Sequence, residues 1–488
     1  MRQVLVKKWT IVFFLAALLG AGSYLALESG RMPDDSVQPV RIDRYLTKRE
    51  MSADVDAVVH AFDKIHPNPY RFIERQVLLA SVDSIKMRLP DSLTTINFWR
   101  VLDQLIIRYT DAHSTIADRQ VLRDYVKKGR RFFPIAARVA NEKILVASHE
   151  NSEQILPEGT EIVKINGQSA NQVIEDMLQH ATKETRALKL REISDDFGFY
   201  VWKTYAWDSV FLVHFKSGES AKIDSMFLKG IGWEDREHSE KQDVGPYSFT
   251  RIKDKVGLMK ITGFTGSARS TKDFYAHCFQ SLAASNATHL VLDFRGHRGG
   301  VDSYGEQLAT YFAKQPFRKL SKAYWKVTPE FKEAFDTRFV PKIIRWFKPV
   351  YLLDEYARVF YGSQANECVT VNYPLKNPLP EEERFQGAVY LITDHNTFSA
   401  GSIFAEMFKY YQMGTIVGQP TGNLASFNGF ALAEFTLPHS NLLFKVSSVY
   451  NIANNEALGM EPVAPDIFLD RTEDPVAYVI ENLVPAGD

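Results

Sequence analysis

Cysteine is nearly absent: Cys278 and Cys368 are the two in 488 residues, too few for a disulfide framework or a cysteine-based metal cluster, though one bridge stays open. Charge imbalance is missing as well. The 58 Lys and Arg almost cancel the 59 Asp and Glu, and no basic stripe interleaved with aromatics occurs, so nothing asks for a nucleic-acid partner. Long apolar runs are confined to one place. Trp9 to Leu27 is nineteen residues without a charge, behind Arg2, Lys7 and Lys8 and ahead of Glu28 and Arg31. A spanning helix needs roughly 20 apolar residues, and a cleaved signal peptide usually has fewer. Residues 1–30 are therefore expected to be an N-terminal membrane anchor, with 9–27 in the membrane, or a signal peptide cleaved near Ala21-Gly22-Ser23. Either way the basic flank stays in the cytoplasm and the remainder is exported to a periplasmic or other extracytoplasmic space. No cysteine follows the run, which argues against a lipid-modified anchor.

What is present is enough for several cores. With 45% hydrophobic and 12% aromatic residues, the chain should hold two or three domains. Residues 31–125 read as a helical region. Val55, Val58, Val59, Phe62 and Ile65 keep helical spacing until His66-Pro67-Asn68-Pro69-Tyr70 stops it, because two prolines cannot continue a helix. Further helices are predicted over Val77–Met87 and Asn97–Ile107, followed by a polar loop holding Asp111-Ala112-His113-Ser114. Residues 126–230 change to short strands and turns, with a strand over Glu161–Ile165, a tight turn at Asn166-Gly167 and a helix over Gln172–Leu178. A charged linker near 228–247 leads to a region, 245–480, in which strands and helices alternate. Such alternation argues for parallel strands with helical crossovers. An insertion at 316–380 carries Tyr324, Trp325, Phe331, Phe335, Phe339, Trp346, Phe347, Tyr351 and Tyr356, read as helical packing or as a wall over a site.

Two turns in that last region carry chemistry. Val389–Thr393 is a short apolar strand, Asp394-His395-Asn396 breaks it, and apolar spacing resumes as a helix at Ile403. Ser399 therefore sits at a strand-to-helix turn, where the first helical N–H groups lack intrahelical partners and can face a developing oxyanion. A serine at that place is also an ordinary helix cap. About a hundred residues earlier, Leu290-Val291-Leu292 reads as a buried parallel strand running into the turn Asp293-Phe294-Arg295-Gly296-His297-Arg298-Gly299-Gly300, where glycines let backbone amides face a ligand.

Together the two turns resemble the S41-type serine peptidases, the family of C-terminal processing (tail-specific) and tricorn-core proteases. There a D-[LF]-R-x-N-x-G-G turn supplies one oxyanion amide and a T-x-S-A turn the nucleophile and the other. His66–Tyr70, Asp111–Ser114 and the ending Gly459-Met460-Glu461-Pro462-Val463-Ala464-Pro465-Asp466-Ile467 resemble further strings of that family, and Leu156–Leu178 resembles a PDZ-type module. The fold implied is a multidomain α/β protein: an N-terminal helical region, a PDZ-like β-rich module and a C-terminal α/β (ClpP/crotonase-like) peptidase domain. In the processing branch the base is a lysine 25 residues past the serine, and Leu424 stands there. The tricorn-like branch uses histidine. The resemblance therefore implies Ser399 as nucleophile, His113 as base, Glu456 (second choice Glu461) orienting it, and Gly299 or Gly300 with Ala400 as oxyanion donors. His297, in place of the family's asparagine, is given a local hydrogen bond only, and His395 is an alternative base expected to point elsewhere. No metal or organic cofactor is implied, and the partner is a peptide or protein substrate. The same fold also serves a retinoid-binding protein of the eye, so a non-catalytic binding protein for peptides or apolar ligands is the alternative, as is a PDZ scaffold with a vestigial peptidase domain.

Overall fold

The computed structural model describes residues 40–116, 118–149, 156–216, 222–236, 245–339 and 355–485. The apolar segment 9–27 and the aromatics Trp346, Phe347 and Tyr351 lie outside them. Among the described residues no helix is long and apolar enough to cross a membrane.

The N-terminal region follows its periodicity. Strand β1 (Tyr45–Thr47) leads into α1 (Lys48–Ile65), whose start is closed reciprocally by Thr47 and Glu50. Met51, Val55, Val58, Phe62 and Ile65 bury one face, and the chain turns extended at His66, ahead of Pro67. Helices α2 (Arg75–Arg88) and α3 (Thr95–Ile107) complete the layer, with β2 (Ser92–Thr94) paired to β1 between them. A two-residue strand β3 (Thr115–Ile116) and α4 (Asp118–Lys127) follow.

The next module is an antiparallel sheet. Strands β4 (Ile135–Ala140), β5 (Lys143–His149), β6 (Glu161–Ile165), β8 (Val210–Lys216) and β9 (Ile223–Lys229) lie in that order, with β7 (Gln168–Ser169) paired to β6. Three helices belong to it: α5 (Ala170–Leu178), α6 (Arg186–Asp195) and α7 (Phe197–Thr204). The last two were not legible in the sequence. In α6 only Leu188 and Ile193 are buried, so no apolar stripe marks it. It covers the edge of β4, where Val139 N–H donates to Ser194 Oγ at 2.9 Å.

The C-terminal region is α/β. A six-stranded sheet has β10 (Tyr247–Lys253) antiparallel at its edge, then β11 (Val256–Ile261), β12 (His289–Asp293), β15 (Ala388–Thr393), β16 (Thr415–Gly418) and β21 (Ile467–Phe468), all parallel. Helices α8 (Ala268–Ala284), α9 (Asp302–Ala309) and α12 (Ala400–Tyr410) connect them. All five residues of β12 are buried, as expected for a strand covered on both faces. Its pairing with β15 is in parallel register, Leu292 opposite Leu391 and Asp293 opposite Ile392. Both strands therefore end at the same level, and the turns that follow them emerge side by side.

The aromatic insertion is not purely helical. Tyr324 and Trp325 stand on a strand, β13 (Lys322–Val327), which pairs with β14 (Glu367–Asn372) and β20 (Val449–Ile452) in a second sheet completed by β17 (Asn428–Gly429). Phe331 on α10 (Pro329–Phe339) and Phe360 on α11 (Glu355–Gly362) pack beneath it with Ile403 and Phe427. A third small sheet joins β18 (Ala433–Thr436) and β19 (Leu443–Val446) of this region to β3 from the far N-terminal end.

Candidate active site

The serine turn is built by hydrogen bonds that leave the helix no other place to begin. After β15, Asp394 N–H donates to Thr397 Oγ1 (3.0 Å) and Thr397 N–H to Asp394 O (2.9 Å). Phe398 N–H then donates to His297 O in the glycine turn (2.8 Å). Ser399 adopts φ 55, ψ −119, and α12 starts at the next residue. A side chain in that backbone region costs on the order of 1–3 kcal/mol. Ser399 N–H is not used by the helix; it donates to Asn423 Oδ1 at 2.6 Å.

The glycine turn lies against it. Gly299 has φ +98, and a Cβ there would come within 2.6 Å of Ser399 Cβ and 3.3 Å of Ala400 N. Gly300, φ +120, has no room for a side chain beside the Phe264 carbonyl. His297 is fully buried between Phe264 and Phe294, with ring centroids 4.4 and 4.8 Å away. Burial pushes its imidazole down to about 3, so it is neutral. Its Nδ1 accepts Gly299 N–H at 3.2 Å, which puts its proton on Nε2. The expected local bond of His297 is therefore made to one of the proposed oxyanion donors.

The histidine arrives from the other end of the chain. His113 lies in the loop between α3 and β3, and β3 is held by β19 through Phe444 opposite Ile116. Asp111 organises the loop: Oδ1 accepts His113 N–H (2.9 Å), and Oδ2 meets Ser114 Oγ and His66 Nε2, the latter at 3.2 Å. Burial would raise this carboxyl, but the His66 hydrogen bond and the imidazoles of His66 and His113 outweigh it and hold it below the usual carboxylate range. Ser114 Oγ in turn accepts Ser447 N–H (2.9 Å), tying the loop to the segment after β19. The His113 ring is sandwiched between Phe398 (4.8 Å, 19°) and Phe427 (5.2 Å, 10°), and its Nε2 lies 3.2 Å from Ser399 Oγ.

Of the residues expected from the sequence, Ser399, His113, Gly299, Gly300 and Ala400 gather around this point, and Glu456 does not. Its carboxylate pairs with Lys322 Nζ at 3.0 Å and meets Ser321 Oγ at 3.4 Å, with over half of the side chain exposed. The glutamate follows β20 on the side of β13, where Lys322 is the nearer cation. Glu461 is exposed and offers its main-chain carbonyl to Ala425 N–H (2.7 Å). His395 faces away from the serine toward Asp195 (2.7 Å) and Arg471 (2.7 Å). Leu424, at the lysine position of the processing branch, is buried and bridged to Pro462.

Several site residues had escaped notice. Asp111 and His66 stand inside strings already singled out, and their pairing explains why the two strings occur together. Phe398 and Phe427 flank polar turns, where nothing marked them. Asn423, and Glu184 whose Oε1 accepts from Asn423 Nδ2 at 3.3 Å, gave no signal. Burial pushes the Glu184 carboxyl up to about 7. Beside it, Lys183 Nζ sits 3.5 Å over the Phe398 ring.

Residues 255–469 match the family model for peptidase family S41. Among solved structures, mature CPAF is similar at 14% identity and TM-score 0.60 over 86% of this chain and 93% of that one, and CPAF complexed with lactacystin at 13% and 0.59 over 86% and 94%. The photosystem II D1 C-terminal processing protease aligns at 12% identity with TM-score 0.40 over 86% and 93%. No curated protein matches the sequence. His113 lies outside the matched stretch, while both turns lie within it. The serine and glycine turns stand at adjacent ends of parallel strands inside that stretch, and residues 255–469 match peptidase family S41.

Proposed function

We propose that the chain is an exported peptidase that hydrolyses peptide bonds of peptides or proteins, with Ser399 as nucleophile and His113 as base. The observation that supports this best is the 3.2 Å separation of His113 Nε2 from Ser399 Oγ at a strained strand-to-helix turn. A serine hydroxyl is a poor nucleophile at neutral pH unless a base stands beside it. In this reading Ser399 Oγ attacks the scissile carbonyl carbon while Nε2 takes its proton, then passes that proton to the leaving amine. Water repeats the sequence on the acyl ester, restoring the hydroxyl. Because Gly299 N–H rests on His297 Nδ1, the oxyanion would be met by Ala400 N–H and Gly300 N–H. The ring stack of Phe398 and Phe427 would hold the base in place, a task that the family resemblance gave to Glu456. Export and tethering through residues 9–27, and peptide contact by the PDZ-like module at 126–230, complete the proposal.

A fluorophosphonate probe tests it. Wild-type protein is expected to be labelled and to cleave an unstructured protein such as casein. Ser399→Ala should lose both, and His113→Ala should lower the labelling rate by at least about a thousandfold, as removal of a general base does. Wild type that takes no label would leave the binding-protein reading in its place.

A further inference from the structure

The nucleophile's backbone is held by a residue pair that joins the β-rich module to the S41 domain. Ser399 N–H would ordinarily be an unpaired donor at a helix start. Here it donates to Asn423 Oδ1, and Asn423 is fully buried, so its carboxamide has no water with which to exchange partners. A carboxamide has two ends, and turned over it would present N–H to N–H and release the serine turn. What excludes that flip is an acceptor at its far end. Asn423 Nδ2 donates to Glu184 Oε1 at 3.3 Å, across 239 residues of sequence. Glu184 lies in the loop between α5 and α6, and the same part of the module touches the serine turn twice more. Lys183 Nζ stands over the Phe398 ring, and Asp195 accepts from His395 and Asn396, four and three residues before the serine.

We infer that Glu184 is a positioning residue for the nucleophile: as an acceptor it orients the Asn423 carboxamide, which holds Ser399 N–H and with it the strained turn that aims Ser399 Oγ and Ala400 N–H. The inference rests on the serine-peptidase reading above and adds to it a control residue outside the S41 domain. Either state of the Glu184 carboxyl offers an oxygen to Asn423, so the acceptor survives titration. The charged groups around it are Lys183 on its own loop, Asp111 in the histidine loop and, at longer range, Arg71.

The experiment uses the full chain and two readouts, the second-order rate of fluorophosphonate labelling and the kcat and KM for a fluorogenic peptide cleaved by wild type. Glu184→Ala is expected to lower labelling and kcat by about tenfold, with KM changing by no more than about twofold, the pattern of a lost transition-state alignment. Glu184→Gln keeps an oxygen acceptor and should stay within about threefold of wild type. Asn423→Ala should match Glu184→Ala, and the double variant should be no worse than Asn423→Ala alone, since both act through one bond. If Glu184→Ala does not fold, Glu184→Asp, whose carboxylate is one methylene short of Asn423, takes its place with the same expected loss. Labelling at the wild-type rate in these variants, or an equal loss in Glu184→Gln, overturns the inference while leaving the peptidase reading intact. Wild type that takes no label overturns the peptidase reading, and the inference with it.

Discussion

A single imidazole illustrates how much a side chain's surroundings decide. His297 and His113 lie in the same site, yet one is sealed among phenylalanines and the other faces a hydroxyl. For His297 the folded value, about 3, lies far below the roughly 6.5 of an unfolded histidine. Between those two values the unfolded chain binds the extra proton, so stability falls as pH drops from about 6.5 toward 3. At pH 4 the loss would approach about 3 kcal/mol from this residue alone. His297→Asn retains an acceptor for Gly299 N–H and removes the titration. Thermal unfolding at pH 7 and pH 4 should therefore show a smaller pH-dependent drop for the variant than for wild type; equal drops would mean His297 is not held neutral. Glu184 has the opposite sign: its raised value favours the folded state at low pH and withdraws that support as pH climbs through about 7. At this scale the sequence singled out Ser399 and His113 by their chemistry, and they lie 3.2 Å apart. It failed for Glu456, because spacing from a terminal motif says nothing about the direction of a half-exposed carboxylate beside Lys322. It failed too for Asn423 and Glu184, whose roles exist only once distant loops meet.

Among elements, the turns after β12 and β15 do more than the strands themselves. Parallel register sets them level, and the missing Cβ of Gly299 lets one turn lie on the other. Gly299→Ala places a methyl 2.6 Å from Ser399 Cβ on a backbone at φ +98 that alanine adopts only under strain. Fluorophosphonate labelling by this variant should fall by at least about a hundredfold, the scale of a damaged oxyanion hole. Labelling near the wild-type rate would show that the turns have room to spare. Elements with a clean apolar stripe, α1 and α3, and the fully buried β12 were legible in advance. The helices α6 and α7 were not, because α6 buries only Leu188 and Ile193 and α7 buries Phe197, Gly198, Tyr200, Val201, Trp202 and Lys203 all round rather than along one face. Strands of two to four residues, such as β17 to β20, are too short for alternation to show.

At the scale of the molecule, the N-terminal helices and the β-rich module share a buried ionic centre. Lys203 of α7, almost without exposure, lies 3.1 Å from Asp103 of α3 and 3.0 Å from Asp118 of α4. Asp103 also accepts from His180 Nδ1 at 2.7 Å, and Arg100 of α3 donates to the carbonyls of Trp202, Lys203 and Tyr205 at the end of α7. Burial would neutralise the Lys203 ammonium, but the two carboxylates outweigh it and hold it charged. Lys203→Met strands both carboxylates, and it should destabilise the protein by about 3–5 kcal/mol, read as an earlier urea midpoint. An unchanged midpoint would mean that water reaches the centre. This joint matters to the site because Glu184 and Lys183 are delivered by the module that it fixes.

The small sheet that joins β3 to β19 carries one more implication. Residue 113 is translated long before Leu443 to Val446 exist to receive its neighbouring strand. Until then a growing chain has no means of laying its imidazole on its alcohol. The contact between His113 and Ser399 thus leans on a strand translated after both of them.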